Sequence, residues 1–309
     1  KMSLNPKDFI TMVRDIRSIE KIKGTGVPHL FQKDINKFQI NIAPINEQER
    51  IVSKIEEHFT KIDLAKQLLE KTKQQIIQYK LSLLKSAFEG KFTKNWRNTN
   101  KNEVQIQFQK YKETDSKFKE EVGVLHGENL PTLPPNWSWA RIKKIAKVGQ
   151  GGTPSRAKKE FWNGGIPWLK SGEVRNNIIE TSRETITQLG HDSSSATKCP
   201  SGTVLLAMTG EGVTRGRVAI LAMEACANQS VCHMIVDDDL ILNRYLFYYL
   251  QAHYWKIRRL DKGSIKGGLN AKLIKEFEIS ICSLKEQQQI IKIVEKSLKD
   301  IDDYDSSIK

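Results

Sequence analysis

An unbroken seven-residue repeat of apolar residues early in the chain constrains the fold more than any other feature of the sequence. Its members are Ile55, Ile62, Leu69, Ile76 and Leu83. A strict seven-residue repeat keeps one apolar seam facing a partner helix, so it is typical of a coiled coil. No proline or glycine occurs between Pro44 and Gly90. The sequence therefore predicts one continuous helix over residues 46–90, about 65 Å long at ~1.5 Å per residue.

Local sequence marks both ends of this helix. Asn46 followed by Glu49 fits a helix N-cap with its reciprocal acid, and Gly90 fits a C-terminal stop. Lysines occupy the second seam position over three heptads. They make the apolar seam narrow, which favours one partner helix over burial on all sides. The heptad pattern alone leaves a surface helix or a dimerisation stalk open.

Part of the sequence occurs twice. Residues 24–63 recur at 263–302 without a gap, so that Ile62 of the first helix corresponds to Ile301. Strand-like alternation, a Glu-Gln pair and the heptad seam all recur in phase. The chain therefore contains two copies of one unit, each a domain followed by a long helix, and the first copy is incomplete.

The second long helix has its own start signal, because Ser283 and Glu286 have the spacing of a capping box. Its seam continues the repeat and supplies a partner for the first helix within the same chain. The residues predicted to pair the two helices are Ile55, Phe59, Ile62, Leu69, Ile76 and Leu83 in the first helix and Val294, Ile301 and Ile308 in the second.

The predicted fold class is mixed α/β with long helices attached. The predicted segments are the C-terminal part of a first domain (1–45), the long helix (46–90), a connecting segment (91–136), a second domain (137–283) and an incomplete second long helix (284–309).

Short apolar runs between glycine-rich turns give the second domain its α/β character. They predict strands at Thr203–Met208, Val218–Leu221 and Val231–Val236, followed by a helix from about Asn243 to Lys256. In the connecting segment the pattern predicts one helix over Glu103–Lys119.

The charge balance indicates an anionic partner, with nucleic acid the first hypothesis. The formal net charge is +14 and the pI is about 9.5. The stretch 141–170 is the most basic, with eight Lys/Arg against the single acid Glu160. The alternative is an ordinary solvated basic face.

Composition also predicts the compartment. The four cysteines have no CxxC or zinc-finger spacing and are predicted to be free, mostly buried thiols of a reducing compartment. We find no signal-peptide pattern and no apolar run of membrane-spanning length, which together predict a cytoplasmic protein.

Two glycine-rich segments could approach DNA. Thr209–Arg217 lies between two predicted strands and could place an arginine in the major groove, although a plain hairpin turn fits equally well. Gly263–Gly268 offers backbone N–H groups to a phosphate but lacks the Gly-Lys-Ser/Thr ending of a nucleotide-binding loop.

The sequence gives no credible catalytic or metal set. His191, His233 and His253 lack metal-ligand spacing, and His233 is most simply a core residue of an apolar strand. Three consecutive acids at Asp237–Asp239 are predicted to be solvated. The tryptophans Trp137, Trp139, Trp162 and Trp168 are predicted to pack in the core or at hinges rather than to stack on bases.

Several motifs together resemble the DNA-specificity subunit of type I restriction–modification systems. Each motif would be weak alone, but the combination covers nearly the whole chain. The motifs are Gly151-Gly152-Thr153-Pro154-Ser155, Phe161-Trp162, Gly164 to Lys170, Gly172-Glu173-Val174, Asn228-Gln229, Gly263-Ser264, Ser86 to Thr93 and Leu133 to Trp137. The sequence departs from the pattern in its truncated first domain, its short last helix and Cys282-Ser283 in place of Ala43-Pro44.

The resemblance implies a non-catalytic DNA-recognition subunit. Each target-recognition domain would read one half of a split DNA site, and the two long helices would pair antiparallel as an intramolecular coiled coil that sets the distance between the domains. The helices would also bind two methyltransferase subunits. S-adenosylmethionine, ATP and Mg would belong to partner subunits, including a separate motor–nuclease subunit, and not to this chain.

We expect the DNA contacts in the second recognition domain. The candidates are Gln150, Thr153, Ser155, Arg156, Lys158, Lys159, Lys170, Ser171, Arg175, Asn176, Thr209, Thr214, Arg215, Arg217, Lys262 and Lys266. The alternative from another class is a coiled-coil scaffold or assembly protein whose globular domain binds protein and whose basic charge is incidental.

Overall fold

The computed structural model describes residues 43–100, 124–126, 130–210, 212–260 and 269–307. The chain forms two compact units, Lys1–Gln75 and Ile76–Lys309. The helix predicted over Glu103–Lys119 lies outside the described residues, as does nearly all of the predicted first domain.

Helix α1 spans Ile45–Phe88, as the heptad repeat predicts. Its first residue is Ile45, and the carbonyl of Pro44 accepts hydrogen bonds from the backbone N–H groups of Glu47 and Gln48. Pro44 therefore takes the N-cap position, two residues before the predicted cap at Asn46. At the other end Gly90 adopts a left-handed conformation, φ +70°, as predicted for a helix stop.

Within the first unit the described part of α1 carries a solvated charged surface. Glu57 binds Lys54 and Lys61 at 2.7 and 2.5 Å, and these contacts lower the pKa of the Glu57 carboxyl. Of the predicted seam residues in this unit, Ile55 and Leu69 are half-buried, whereas Phe59 and Ile62 are exposed. Their pairing with a second helix stays a prediction.

The second unit is mixed α/β, as predicted. Its strands are β1 Ser138–Arg141, β2 Ala146–Gln150, β3 Trp162–Leu169, β4 Asn177–Ile179, β5 Glu184–Ile186, β6 Val204–Ala207, β7 Val218–Leu221, β8 Cys226–Ala227, β9 Val231–Val236 and β10 Glu278–Ile281. Its helices, besides the end of α1, are α2 Lys94–Thr99, α3 Ile142–Ile145, α4 Gln188–Asp192, α5 Asn243–Ala252, α6 Tyr254–Arg259, α7 Ala271–Lys275 and α8 Leu284–Ser307.

Five strands form the central sheet in the order β2-β9-β6-β7-β4. The pairs are antiparallel except for β4 and β7, which are parallel. The strands β6, β7 and β9 confirm the three predicted apolar runs. A second sheet has the order β5-β3-β8, and β1 pairs with β10. The predicted helix from Asn243 is interrupted at His253, which separates α5 from α6.

The main core joins the last turns of α1 to the start of α8 and to one face of the central sheet. Leu83 and Phe88 lie in the same buried cluster as Ile290 and Val294, and Ile301 packs against that cluster. Lys80 binds Asp302 at 2.5 Å. Ser280, four residues before α8, donates its hydroxyl to the carbonyl of Phe88, whereas Lys80 binds Asp302 near the end of α8, so these parts of the two helices run antiparallel.

A buried carboxylate fastens the ends of these two helices together. Glu286 is fully buried and accepts hydrogen bonds from Thr93 at 2.6 Å, Arg97 at 2.5 Å and Trp137 at 3.1 Å. The predicted capping box is therefore half right. The backbone N–H of Glu286 does donate to the Ser283 hydroxyl, but the Glu286 carboxylate binds the segment that follows α1.

Among the described residues, no helix is long and apolar enough to cross a membrane.

Candidate DNA interface

Strand order brings the loops that carry the predicted DNA contacts to one edge of the central sheet. The last residue of β2, Gln150, pairs with Cys232 near the start of β9. The last residue of β6, Ala207, pairs with Val231 at that same start. The loops that follow β2 and β6 and the turn that precedes β9 therefore adjoin one another.

The remaining strands deliver their loops to the same edge. Strand β6 is antiparallel to β7, so its end adjoins the start of β7. Strand β4 is parallel to β7, with Asn177 beside Ala219, so the loop before β4 lies there too. The end of β3 joins them, because the backbone N–H of Asn228 donates to the carbonyl of Leu169. We call this surface the loop edge; it comprises residues 150–156, 170–176, 208–210, 212–217 and 228–230.

The Gly151-Gly152 pair allows the loop after β2 to lie against its neighbours. A Cβ on Gly151 would lie 2.2 Å from the carbonyl oxygen of Ala227, and one on Gly152 would lie 2.4 Å from Ser195. The buried Trp168 then donates its indole N–H to the carbonyl of Gly152 at 2.9 Å. The loop is held close to the sheet by backbone contacts that only glycine permits.

Gln229 connects two predicted contact residues, although the sequence analysis did not include it among the candidates. The side chain of Gln150 donates to its backbone carbonyl at 2.6 Å, and the hydroxyl of Thr153 donates to its side-chain oxygen. Both Gln150 and Gln229 are exposed. The only sequence signal for Gln229 was its place in the Asn228-Gln229 motif.

Arg156 and Lys170 converge on one carboxylate, Glu184, which the sequence analysis also missed. Arg156 binds Glu184 at 2.6 Å, and Lys170 binds the other oxygen of the same carboxylate. The Arg156 guanidinium lies over the Trp162 ring, 3.6 Å from its centroid. Partial burial pushes the pKa of Glu184 up, but the ion pairs with Lys170 and Arg156 outweigh burial and lower it below its ordinary value.

The loop before β4 is shaped by its own polar groups. The guanidinium of Arg175 donates to the carbonyl of Gly172 at 2.6 Å. Asn176 has φ +62°, and its side-chain oxygen accepts from the backbone N–H of Val218 at 3.1 Å. Asn176 therefore fastens β4 to β7, a structural role in addition to the predicted DNA contact. Ser171 opens a short 3-10 turn and is half-buried.

The loop between β6 and β7 is held by helix α6. Tyr254 donates its hydroxyl to the carbonyl of Val213 at 2.8 Å, and Arg258 donates to the carbonyls of Gly212 and Arg215. Thr209 is exposed, and the other predicted residues of this loop, Thr214, Arg215 and Arg217, are half-buried. The glycine-rich turn is thus a braced loop rather than a free hairpin.

The other candidates lie apart from the loop edge or outside the described residues. Lys158 and Lys159 are exposed beside the short turn that precedes β3, with the Lys158 ammonium 5.0 Å from the Phe161 ring centroid. Ser155, by contrast, belongs to the loop edge; it is exposed, and its carbonyl accepts from the Trp162 indole N–H. Lys262 and Lys266, together with Ile308 of the second helix, lie outside the described residues.

Two of the tryptophans and all four cysteines have structural roles in the core. Trp137 and Trp168 are buried, which confirms the packing prediction for both. All four cysteines are free and buried, also as predicted. Burial raises the pKa of Cys199 and Cys232 to about 12 and that of Cys226 to about 11, so the thiols are poor nucleophiles.

The predicted core histidine and the acidic run are found as expected. His233 is buried in β9, and burial, followed by the charge of Lys147, lowers its pKa. Asp237–Asp239 are exposed after β9. Within the described part of the chain no group of three or more His, Cys, Asp or Glu side chains could hold a metal ion.

Comparison with known families gives this architecture its context. The sequence profile of the family described as "Type I restriction modification DNA specificity domain" matches residues 5–74 and 134–304, well over half of the chain. The chain belongs to this family. The two matched stretches lie on either side of residues 75–133, as expected for a two-copy organisation.

Individual proteins with related sequences are named as specificity subunits of type I restriction enzymes. The MjaIX specificity subunit of Methanocaldococcus jannaschii is 29% identical over 171 residues, covering 54% of this chain and 39% of that protein. The EcoR124I/EcoR124II specificity subunit of Escherichia coli is 26% identical, covering 51% and 40%. This chain therefore spans about two fifths of the length of these relatives.

Solved structures show the specificity-domain fold in this chain. A structure described as showing complex assembly and conformational transition of the type I R-M system aligns with a TM-score of 0.66 at 18% identity, covering 98% of this chain and 63% of that one. The HsdS subunit of Thermoanaerobacter tengcongensis aligns with a TM-score of 0.51 at 19% identity, covering 98% and 61%.

Proposed function

We propose that this chain recognises a DNA sequence as part of a type I restriction–modification complex. The observation that carries the proposal is the convergence of loops from β2, β3, β6 and β8, with the loop before β4, on one sheet edge. That edge presents arginines, a lysine, glutamines and threonines on a rigid frame. One recognition domain reads one half of a bipartite site.

The chemistry of the loop edge suits double-stranded DNA. Lys and Arg neutralise phosphates and fix the register of a protein on the duplex without reading its sequence. Arginine and glutamine side chains read base edges in the major groove, each good bidentate pair being worth about 1–3 kcal/mol of discrimination. Lys170 and Arg175 are suited to the first task, and Arg156, Gln150 and Gln229 are suited to the second.

Partner subunits supply the chemistry in this proposal. Two methyltransferase subunits dock on the paired long helices and bring S-adenosylmethionine, while a motor–nuclease subunit brings ATP hydrolysis and Mg-dependent cleavage. This chain is non-catalytic and acts in the cytoplasm, where it meets the DNA. Relatives named as type I restriction enzyme specificity subunits support this division of labour.

A binding experiment tests the proposal. The chain and its methyltransferase partner would be incubated with a random duplex library, and bound duplexes would be sequenced and measured individually across a salt series. We expect one enriched sequence with at least a 1,000-fold preference over random duplex, in the range usual for specific DNA-binding proteins.

The outcomes separate the proposal from the scaffold alternative. A coiled-coil scaffold with incidental basic charge binds all duplexes equally, with an affinity that collapses as salt rises. Absence of any enriched sequence, with the complex intact by gel filtration, would contradict the recognition role.

A further inference from the structure

Glu184 lies behind two of the basic side chains of the loop edge because of strand geometry. It is the direct antiparallel partner of Trp168 across the β3–β5 pair, so the two side chains lie on one face of the sheet. Lys170 follows Trp168 by two residues, which places it diagonally across from Glu184. The ion pair between Lys170 and Glu184 follows from this register.

Arg156 reaches the same carboxylate from a different loop and is restrained on several sides. Its guanidinium lies 3.6 Å from the Trp162 ring centroid and 4.9 Å from that of Trp168. The two rings meet edge to face, with centroids 5.0 Å apart. Glu184 forms an ion pair with one guanidinium nitrogen at 2.6 Å, so the aromatic rings and the carboxylate together restrain the group.

The exposure of the three side chains shows which groups face outward. The side chains of Arg156 and Lys170 are 50% and 52% exposed, whereas that of Glu184 is 27% exposed. The carboxylate therefore lies beneath the two cations rather than in front of them. An incoming anionic or hydrogen-bond-accepting surface meets the cations first.

We propose that Glu184 is a positioning residue for DNA recognition: it orients Arg156 so that the free guanidinium N–H groups meet an adjacent pair of acceptor atoms on DNA. Such a pair is found in the O6/N7 edge of guanine or in two oxygens of one phosphate. The inference rests on the proposed function and adds a residue and a ligand chemistry to it.

The proposal makes a prediction that a simple charge effect does not share. Glu184 has two consequences for binding: its negative charge weakens the attraction of Arg156 and Lys170 to any phosphate, and its ion pair with Arg156 restrains the direction of the guanidinium fork. Removing the charge alone should strengthen binding to every duplex. Losing the orientation should weaken binding only to the recognised sequence.

The test uses the complex of the full chain with its methyltransferase partner and two probes, the duplex enriched from the random library and a random-sequence duplex. For Glu184→Ala, which removes both the charge and the oxygens that hold Arg156, we expect about a tenfold loss of affinity for the selected duplex, comparable to one lost bidentate contact. For the random duplex we expect equal or higher affinity, with the salt slope steeper by about one unit because a counterion-releasing contact is gained.

Two further variants test whether the effect is specific to Glu184 and depends on Arg156. Glu180→Ala removes the same charge from an exposed residue just after β4, at the opposite edge of the sheet, and should leave both affinities unchanged. Arg156→Ala should lose at least as much selected-duplex affinity as Glu184→Ala. In the double variant the two losses should not add, because Glu184 acts through Arg156.

The source of the acceptor pair is settled by modified duplexes. If Arg156 meets guanine, replacing one guanine by 7-deazaguanine should weaken wild type but not Arg156→Ala. If it meets a phosphate, a single methylphosphonate should do so instead. Either result supports the positioning role, since both provide the paired acceptors.

Two results would overturn the inference while leaving the proposed function intact. Equal strengthening of both duplexes by Glu184→Ala would make the residue only a repulsive charge, and additive losses in the double variant would separate it from Arg156. Failure of wild type to prefer any sequence would instead contradict the proposed function itself.

Discussion

At the scale of single residues, the loop edge depends on glycines that admit a neighbouring backbone. Gly151 lies so close to β8 that a methyl group would be 2.2 Å from the carbonyl of Ala227 and 2.4 Å from that of Asn228. A backbone carbonyl cannot rotate away as a flexible side chain can. The position therefore constrains the path of the loop that carries Thr153 and Arg156.

Gly151→Ala should displace this loop and cost about 1–3 kcal/mol of folding stability, the usual range for overpacking a tight site. Sequence-selective DNA binding should fall at least tenfold, because the loop residues lose their positions. Gly165→Ala is the matched control, since a Cβ there would meet nothing within 4 Å. Thermal unfolding and duplex titrations would measure both effects, and equal behaviour of the two variants would contradict the close-approach argument.

His253 gives the fold a dependence on pH. Burial, reinforced by the neighbouring His126 and Lys256, lowers its pKa from 6.5 to about 3, despite an opposing hydrogen bond to the Tyr249 carbonyl. The unfolded chain takes up this proton near pH 6.5, whereas the folded chain does not until about pH 3.

Stability should therefore fall as the pH drops from about 6.5 towards 3, by up to ~1.4 kcal/mol per pH unit from this one group. His253→Asn keeps a side-chain N–H near the Tyr249 carbonyl but cannot take up the proton, so its stability should vary less over that range. Urea unfolding at half-unit pH steps would measure the difference. Identical slopes for wild type and variant would show that His253 does not contribute.

At the scale of secondary-structure elements, the junction around Glu286 links the end of α1 to the start of α8. Arg97 is nearly buried, binds the Glu286 carboxylate and also donates to the Gly90 carbonyl at 2.7 Å. It therefore ties the left-handed helix stop of α1 to the first turn of α8. The indole of Trp137, just before β1, completes the junction.

Arg97→Ala should destabilise the protein by about 3–5 kcal/mol, because it leaves a buried carboxylate without its cation. Arg244→Ala removes an arginine from an exposed pair with Glu295 and should cost less than about 1 kcal/mol. Denaturant unfolding of the two variants gives the comparison. Similar losses of unfolding free energy in both variants would mean that water reaches Glu286 and that the junction does not stabilise the two helix ends.

Elements with a strong periodic pattern were predictable from sequence, and their assembly was not. The heptad repeat located α1 to within a residue or two at each end, and apolar runs located β6, β7 and β9. Helix α2 was missed because Lys94–Thr99 carries no apolar repeat; it is placed by the bond from Arg97 to Glu286.

In the candidate site, too, local sequence patterns could be predicted, whereas contacts between residues distant in the sequence could not. The basic residues Arg156 and Lys170 were visible as a charge cluster, but their shared carboxylate was not. Glu184 lies fourteen residues beyond Lys170 in the sequence and meets it only through the β3–β5 register. Gln229 likewise joins Gln150 only because β2 and β9 are neighbours. Non-local strand pairing leaves no periodic trace in the sequence.

At the scale of the whole molecule, the long helix is predicted to act as a spacer between recognition domains. Insertion of one heptad between Leu64 and Gln78 keeps the seam in phase and lengthens the helix by about 10 Å. In a protein with both recognition domains, the gap in the recognised site should grow by up to about 3 base pairs at ~3.4 Å each. Methylome sequencing would show the gap, and an unchanged gap would contradict the spacer role.

The net charge of +14 is also a property of the whole molecule. It attracts the chain to any DNA, whatever the base sequence. Selectivity must come from the surface that faces the bases. DNA should therefore lie against the loop edge and not against the opposite edge of the central sheet.

Site-directed photocrosslinking tests that claim most directly. A photoreactive phenylalanine analogue would be placed at exposed Ser155 or Thr209 on the loop edge, and at exposed Glu180 or Asp238 after strands that end at the opposite edge. We expect crosslinks to the selected duplex from Ser155 and Thr209 and none above background from Glu180 and Asp238. Crosslinks from the opposite edge, with none from the loop edge, would contradict this placement of the DNA.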